Sequence, residues 1–153
     1  MLNLIERLFA MWNSQDAALA FEIYSEEYCG IDLTNQTRIN GPAGVTRQLE
    51  RFYQALPDLE FKYEQVIFEN DRVAVYWSAR GTHRGTLLNI PPTGRVVQIN
   101  GVSWLRERNG KFAHGVHMWD MAALLRAVGL LPELETRAPS ESISLQAAFT
   151  PND

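Results

Sequence analysis

At Pro57 the hydrophobic period of this chain drops from roughly 3.6 residues to 2, which limits it to folds with helices first and a sheet after. Upstream, Leu4, Ile5, Leu8, Phe9 and Trp12 recur at helical spacing until Asn13-Ser14-Gln15-Asp16 interrupts them as a turn. A second short helix is predicted from Ala17 to Tyr24. Tyr28-Cys29-Gly30-Ile31-Asp32 then reads as a short strand with Arg38-Ile39 as its return partner. Gly41-Pro42 opens a third helix, whose stripe of Val45, Leu49, Phe52, Tyr53 and Leu56 runs up to Pro57.

Downstream, Leu59, Phe61, Tyr63, Gln65 and Ile67 alternate with Glu60, Lys62 and Glu64, the pattern of a strand with one wet face. Asn70-Asp71 turns the chain into Val73, Val75 and Trp77. Asn109-Gly110 makes a second hairpin between Val102-Ser103-Trp104-Leu105 and a strand from Lys111 to Asp120. Between the hairpins, Ile90-Pro91-Pro92-Thr93-Gly94 is too rigid and too poor in donors to pair in a sheet. A last helix runs from Met121 to Val128 and stops at Gly129. The expected fold is α+β: a cone-shaped, curved antiparallel sheet packed on N-terminal helices, with a hollow between the layers. One domain is expected over residues 1–131, followed by a C-terminal tail over 132–153.

Composition excludes several functions. A net charge of −4 with scattered Lys and Arg gives no nucleic-acid footprint. Cys29 has no intramolecular partner, and MLNLIERLFAMW mixes charge among its apolar residues where a leader would separate them, so a cytoplasmic location is expected. No apolar run approaches the roughly 20 residues of a membrane span. One cysteine and three separated histidines lack metal-ligand spacing, and neither a Gly-rich phosphate loop nor a nucleophile elbow is present. Four Trp, five Tyr and seven Phe suit a dense core or an aromatic-lined pocket.

Asp120 is the first candidate base. It ends a strand and shares side-chain parity with Phe112, His114, Val116 and Met118, a row expected to face the hollow. A carboxyl sheltered there beside Trp104 would have its pKa raised toward the operating pH. The competing role is N-cap of the helix starting at Met121. By the same alternation His117 points to the opposite face. His83 shares parity with Val73, Val75 and Trp77, and either assists catalysis by donating to a developing enolate or ties down the proline loop. Tyr24, Tyr28, Tyr53, Trp77, Trp104 and Trp119 are candidate cavity-lining aromatics, with Tyr53 and Trp104 preferred, and His114 and Met118 join them by parity with Asp120.

Leu56-Pro57-Asp58-Leu59, Asn70-Asp71-Arg72-Val73-Ala74-Val75, Gly81-Thr82-His83-Arg84-Gly85, Ile90-Pro91-Pro92-Thr93-Gly94 and Trp119-Asp120 with Leu124-Leu125 occur in an order and spacing that resembles the SnoaL-like polyketide cyclase family. The resemblance extends to about Leu131. It implies the cone of ketosteroid isomerase and nuclear transport factor 2, a dimer or tetramer, and no metal or cofactor. It also implies that Asp120 abstracts a proton beside a ketone and that Asp32 matches an acidic position. His114 and Val116 depart from the pattern, which has an acid and an aromatic residue there.

The leading expectation is therefore a cofactor-independent cyclase or isomerase acting on a hydrophobic, polyketide-like ketone. A hydroxylase on the same scaffold and a non-catalytic binding module are the rivals. A third possibility is an interaction domain that dimerises through its open sheet face and the apolar Ile143 and Leu145.

Overall fold

A computed structural model describes residues 1–133. Most of the expected tail, with Ile143 and Leu145, lies outside these residues. The chain runs α1 (Leu2–Ser14), a 3-10 turn (Ala17–Leu19), α2 (Ala20–Ile23), β1 (Tyr24–Asp32), β2 (Thr37–Asn40), α3 (Gly41–Ala55), β3 (Glu60–Glu69), β4 (Arg72–Thr82), β5 (Val96–Arg108), β6 (Lys111–Trp119) and α4 (Met121–Ala127). The mixed α+β architecture, a curved sheet against N-terminal helices, is as the change of period implies. Two details differ. The second helix gives way to β1 at Tyr24, and the sheet is not wholly antiparallel.

All six strands form one sheet in the order β2-β1-β6-β5-β4-β3. β1 and β6 pair in parallel and the other neighbours are antiparallel. The parallel pair joins strands far apart in the chain, for β2, α3 and β3 to β5 intervene between β1 and β6. Leu4, Ile5 and Leu8 of α1 and Val45, Leu49 and Tyr53 of α3 are buried against the inner face of the sheet. Tyr53 ties these layers together: its hydroxyl donates to the carbonyl of Leu59 at 2.9 Å and also contacts the carbonyl of Trp12.

Two bulges decide which side chains reach the interior. In β3, Tyr63 faces Trp77 and Gln65 faces Tyr76, so Glu64 is the extra residue. Beyond it the alternation inverts: Val66 turns inward and Ile67 is 64% exposed. In β6, Phe112 pairs with Glu107 and His114 with Arg106, leaving Ala113 as the extra residue. Phe112 and Ala113 are consecutively buried, and from there Gly115, His117 and Trp119 take the inner face.

The Ala113 bulge corrects the parity expected for this strand. His114 and Met118, which share parity with Phe112 by simple counting, lie on the outer face, and Met118 is 56% exposed. Asp120 is exposed at the N-cap of α4, where its Oδ1 accepts a hydrogen bond from the backbone N–H of Ala123 at 2.9 Å. Trp104 also belongs to the outer face, 38% exposed, with the Arg72 guanidinium 5.7 Å above its ring. Among the described residues, no helix is long and apolar enough to cross a membrane.

Candidate active site

A cavity of about 100 Å³ lies between the inner face of the sheet and helices α1 and α3. Phe9 and Trp12 from α1, Phe52 from α3, Phe61 from β3 and Trp77 from β4 give it aromatic walls. The Phe61 ring sits 5.0 Å from Trp12 and 5.5 Å from Trp77, tilted edge to face in the arrangement aromatic quadrupoles favour. Polar groups on this wall come mainly from the parallel β1–β6 pair and from β5: Tyr28, Asp32, Ser103 and His117.

Asp32 is the buried acid, 2% exposed at the end of β1. A carboxylate in such a place needs donors, and it has one on each oxygen. The indole Nε1 of Trp119 donates to Oδ2 at 2.9 Å, and the backbone N–H of Thr34 donates to Oδ1 at 2.9 Å in a local Asx turn. The turn is itself anchored to β6, since the Thr34 hydroxyl donates to the carbonyl of Trp119 and accepts from its N–H. The carboxylate is therefore held in orientation by both strands.

His117 lies directly across from Asp32 in the parallel register. Its Nε2 is 2.9 Å from the Tyr28 hydroxyl and its Nδ1 is 2.9 Å from Ser103 Oγ, which accepts a hydrogen bond from Trp77 Nε1 at 3.0 Å. Burial pushes the imidazole pKa down to about 4, partly opposed by the nearby Asp32 charge. At neutral pH the ring is uncharged. Burial, the main cause, also drives the Tyr28 phenol well above its ordinary range, so it stays protonated.

Glycines make room for this arrangement. A Cβ on Gly115 would stand 2.2 Å from the Tyr28 hydroxyl, and one on Gly101 would stand 2.3 Å from Cζ2 of Trp77. Both rings can lie flat on the sheet because those two positions lack side chains.

The residues expected from sequence separate into four groups. Asp32, Tyr24, Tyr28, Trp77 and Trp119 line the cavity. Tyr53 is buried but serves the joint between α1, α3 and β3. Asp120, Trp104, His114 and Met118 lie on the exposed side. His83 is wholly buried yet is not part of the cavity wall. Its Nδ1 lies 3.1 Å from Thr93 Oγ1, and its backbone bonds to Gly94 and Arg95, so it pins the proline loop to the end of β4. His117 and Ser103 form the part of the site that alternation misses. The signal for it is local: the adjacent apolar pair Phe112-Ala113 breaks period 2, and Gly101 and Gly115 interrupt strands that are otherwise filled with side chains.

The model of the SnoaL-like polyketide cyclase family matches residues 3–128. The chain belongs to that family. No curated protein matches the sequence. Among solved structures, this SnoaL-like chain is similar to AclR, a proposed hydroxylase from Streptomyces galilaeus, with 26% identity, 88% of this chain and 83% of that one covered, and a TM-score of 0.77. It is similar to a proposed SnoaL-like polyketide cyclase from Jannaschia sp. CCS1, with 23% identity, coverage of 86% and 92%, and a TM-score of 0.77. A protein with a ketosteroid isomerase-like fold from Catenulispora acidiphila shares 13% identity over 84% and 93% of the two chains, with a TM-score of 0.71. These likenesses show a fold of the nuclear transport factor 2 and ketosteroid isomerase type.

Proposed function

We propose that this SnoaL-like protein catalyses enolisation, leading to cyclisation or isomerisation, of a hydrophobic ketone, with Asp32 as the general base. The observation that carries the reading is a carboxylate enclosed in an apolar, aromatic cavity with an uncharged imidazole and a phenol beside it. Removing a proton from carbon next to a carbonyl needs a base in reach of that carbon and a donor for the developing enolate oxygen. Asp32 supplies the first, and Tyr28, backed by His117, supplies the second. A cavity of about 100 Å³ is smaller than the ~150 Å³ that holds benzene, so it suits a small ketone or the reacting end of a larger one.

Exchange of α-protons of a bound ketone for solvent deuterium isolates the proposed step. Asp32→Asn is expected to slow that exchange by about 10²–10⁴-fold, the usual worth of a positioned base. Asp120→Asn, which removes the charge and keeps the helix cap, should leave it unchanged. Wild-type exchange no faster than in buffer would favour a binding module, and exchange indifferent to Asp32→Asn would remove Asp32 from the chemistry.

The likeness to AclR favours a second reading, hydroxylation on the same scaffold. Turnover that depends on dioxygen and a reductant would select it. Under either reading we expect a homodimer built on the outer sheet face, where Ile67, Ala74, Trp104 and Val116 lie side by side across four strands.

A further inference from the structure

We infer that the cavity takes a ketone bearing an unbranched alkyl or acyl chain, and that this chain leaves the cavity between Gln48 and Phe52 of α3 into a recess closed by Leu88. That the chain is attached to a ketone rests on the enolisation reading. Its route does not.

At about 100 Å³ the cavity holds the reacting end of such a ligand and little else, so anything longer has to emerge through the wall. Most of that wall is buried, and its partly exposed members are Trp12, Gln48, Phe52, Phe61 and His117. Three of these are fastened. Asn13 binds the backbone of Phe61 at both its N–H, 2.8 Å, and its carbonyl, 2.9 Å. The Trp12 ring lies 5.0 Å from the Phe61 ring, its carbonyl is held by Tyr53, and both ring nitrogens of His117 are engaged. Gln48 and Phe52 differ. The Gln48 amide has no hydrogen-bond partner among the described residues, and Phe52 meets Trp12 only edge to face, with ring centres 6.2 Å apart. One helical turn apart, these two side chains are neighbours on the surface of α3.

Behind them lies a recess of about 20 Å³, room for a group the size of a water, lined by Asn35, Gln48, Arg51, Phe52, Leu87 and Leu88. Gln48 and Phe52 line both spaces, so turning these two side chains aside joins recess to cavity. The far side of the recess is a two-residue turn. The N–H of Leu87 donates to the carbonyl of Ile90 at 3.1 Å, that of Ile90 donates back at 2.8 Å, and Leu88 and Asn89 between them have φ of 51° and 64°. Of the six non-glycine residues with positive φ among the described residues, Leu88 alone is apolar. A Cβ is unfavourable in that backbone region, where Gly or Asn is the usual choice. What leucine adds is a partly buried side chain packed on the core at the recess. Phe52, Leu87 and Leu88 present an apolar lining that suits hydrocarbon, and a neck framed by adjacent side chains of one helix suits an unbranched chain.

Methyl ethyl ketone is short enough to stay within the cavity, whereas methyl pentyl ketone exceeds it and its tail must emerge. NMR titration of the full chain should show the longer ketone binding about tenfold more tightly or better, each buried methylene being worth about fourfold. With isotope-labelled leucine methyl groups, the terminal methyl of the bound pentyl chain should give nuclear Overhauser contacts to Leu88, whose signal is identified by its loss in Leu88→Gly. Glycine accepts the positive φ, so that variant keeps the turn, and it should lose most of the gain from the longer chain.

Contacts from the terminal methyl to Leu8, Leu56 or Leu59 of the cavity wall in place of Leu88 overturn the inference. So does equal affinity of the wild type for the two ketones, or an undiminished gain in Leu88→Gly. Neither readout is turnover, so an Asp32→Asn result that ends the enolisation reading leaves the route of the chain to be decided separately.

Discussion

An uncharged imidazole in the middle of a folded chain makes stability depend on acid. The folded pKa of His117 is about 4 and its ordinary value is 6.5, so between those two values the unfolded chain binds a proton that the folded chain refuses. Above about pH 6.5 there is no penalty. As pH falls toward 4 the folded state loses ground, by up to about 3 kcal/mol at roughly 1.36 kcal/mol per unit, and below 4 the loss levels off. Urea midpoints for wild type and His117→Gln at pH 7 and pH 4.5 check this: the variant should show a smaller decline. Equal declines would mean that His117 is not the group refusing the proton. At this scale the sequence made Asp32 visible as an acid at a strand end, and Asp120 equally so. Only coordinates separate an acid held by a buried indole from one capping a surface helix.

Strands were legible from their alternation, and their facing was not. Period 2 predicts β3 and β6 with boundaries close to those observed, while β5 runs from Val96 to Arg108 where only Val102 to Leu105 was expected, and one extra residue reverses every side chain beyond it. Counting inward positions from Phe112 through the Ala113 bulge puts His114, Met118 and Asp120 inside and His117 outside, the reverse of what is found. Trp104 was misplaced differently, for its aromatic character suggested a pocket when its neighbour Ser103 faces inward. Glycines inside strands were the better guides. Gly101→Ala would drive a methyl group into the Trp77 ring, and overpacking of that kind is expected to cost about 1–3 kcal/mol. Denaturant unfolding should show the loss, and tryptophan fluorescence should report a displaced Trp77. An unaltered midpoint and spectrum would mean that the indole does not lie against that glycine.

For the whole molecule, helices before strands determined the layers, because each amphipathic face has to be buried against another element. What chain order could not convey was that β1 and β6, far apart in sequence, would run parallel and bring Asp32 opposite His117. Among the described residues nothing covers an apolar patch on the outer sheet face, where Met118, Ile67, Val102 and Trp104 are all exposed. Contiguous patches of this sort mark association surfaces. Light scattering behind size exclusion is expected to give a dimer mass for wild type and a monomer mass for Trp104→Glu with Met118→Glu, a charge pair placed on adjoining strands. A wild-type monomer at every concentration would dismiss the association.

Trp119 and Asp120 are joined by a single peptide bond, yet one grips the enclosed carboxylate and the other anchors the first turn of α4. Any pull that unseats that terminal helix, whether heat or a neighbouring protein, is transmitted across one backbone unit to the indole steering the base. The chamber's inmost acid is thus tethered to the molecule's rim, and loosening at the rim will register as altered aim within.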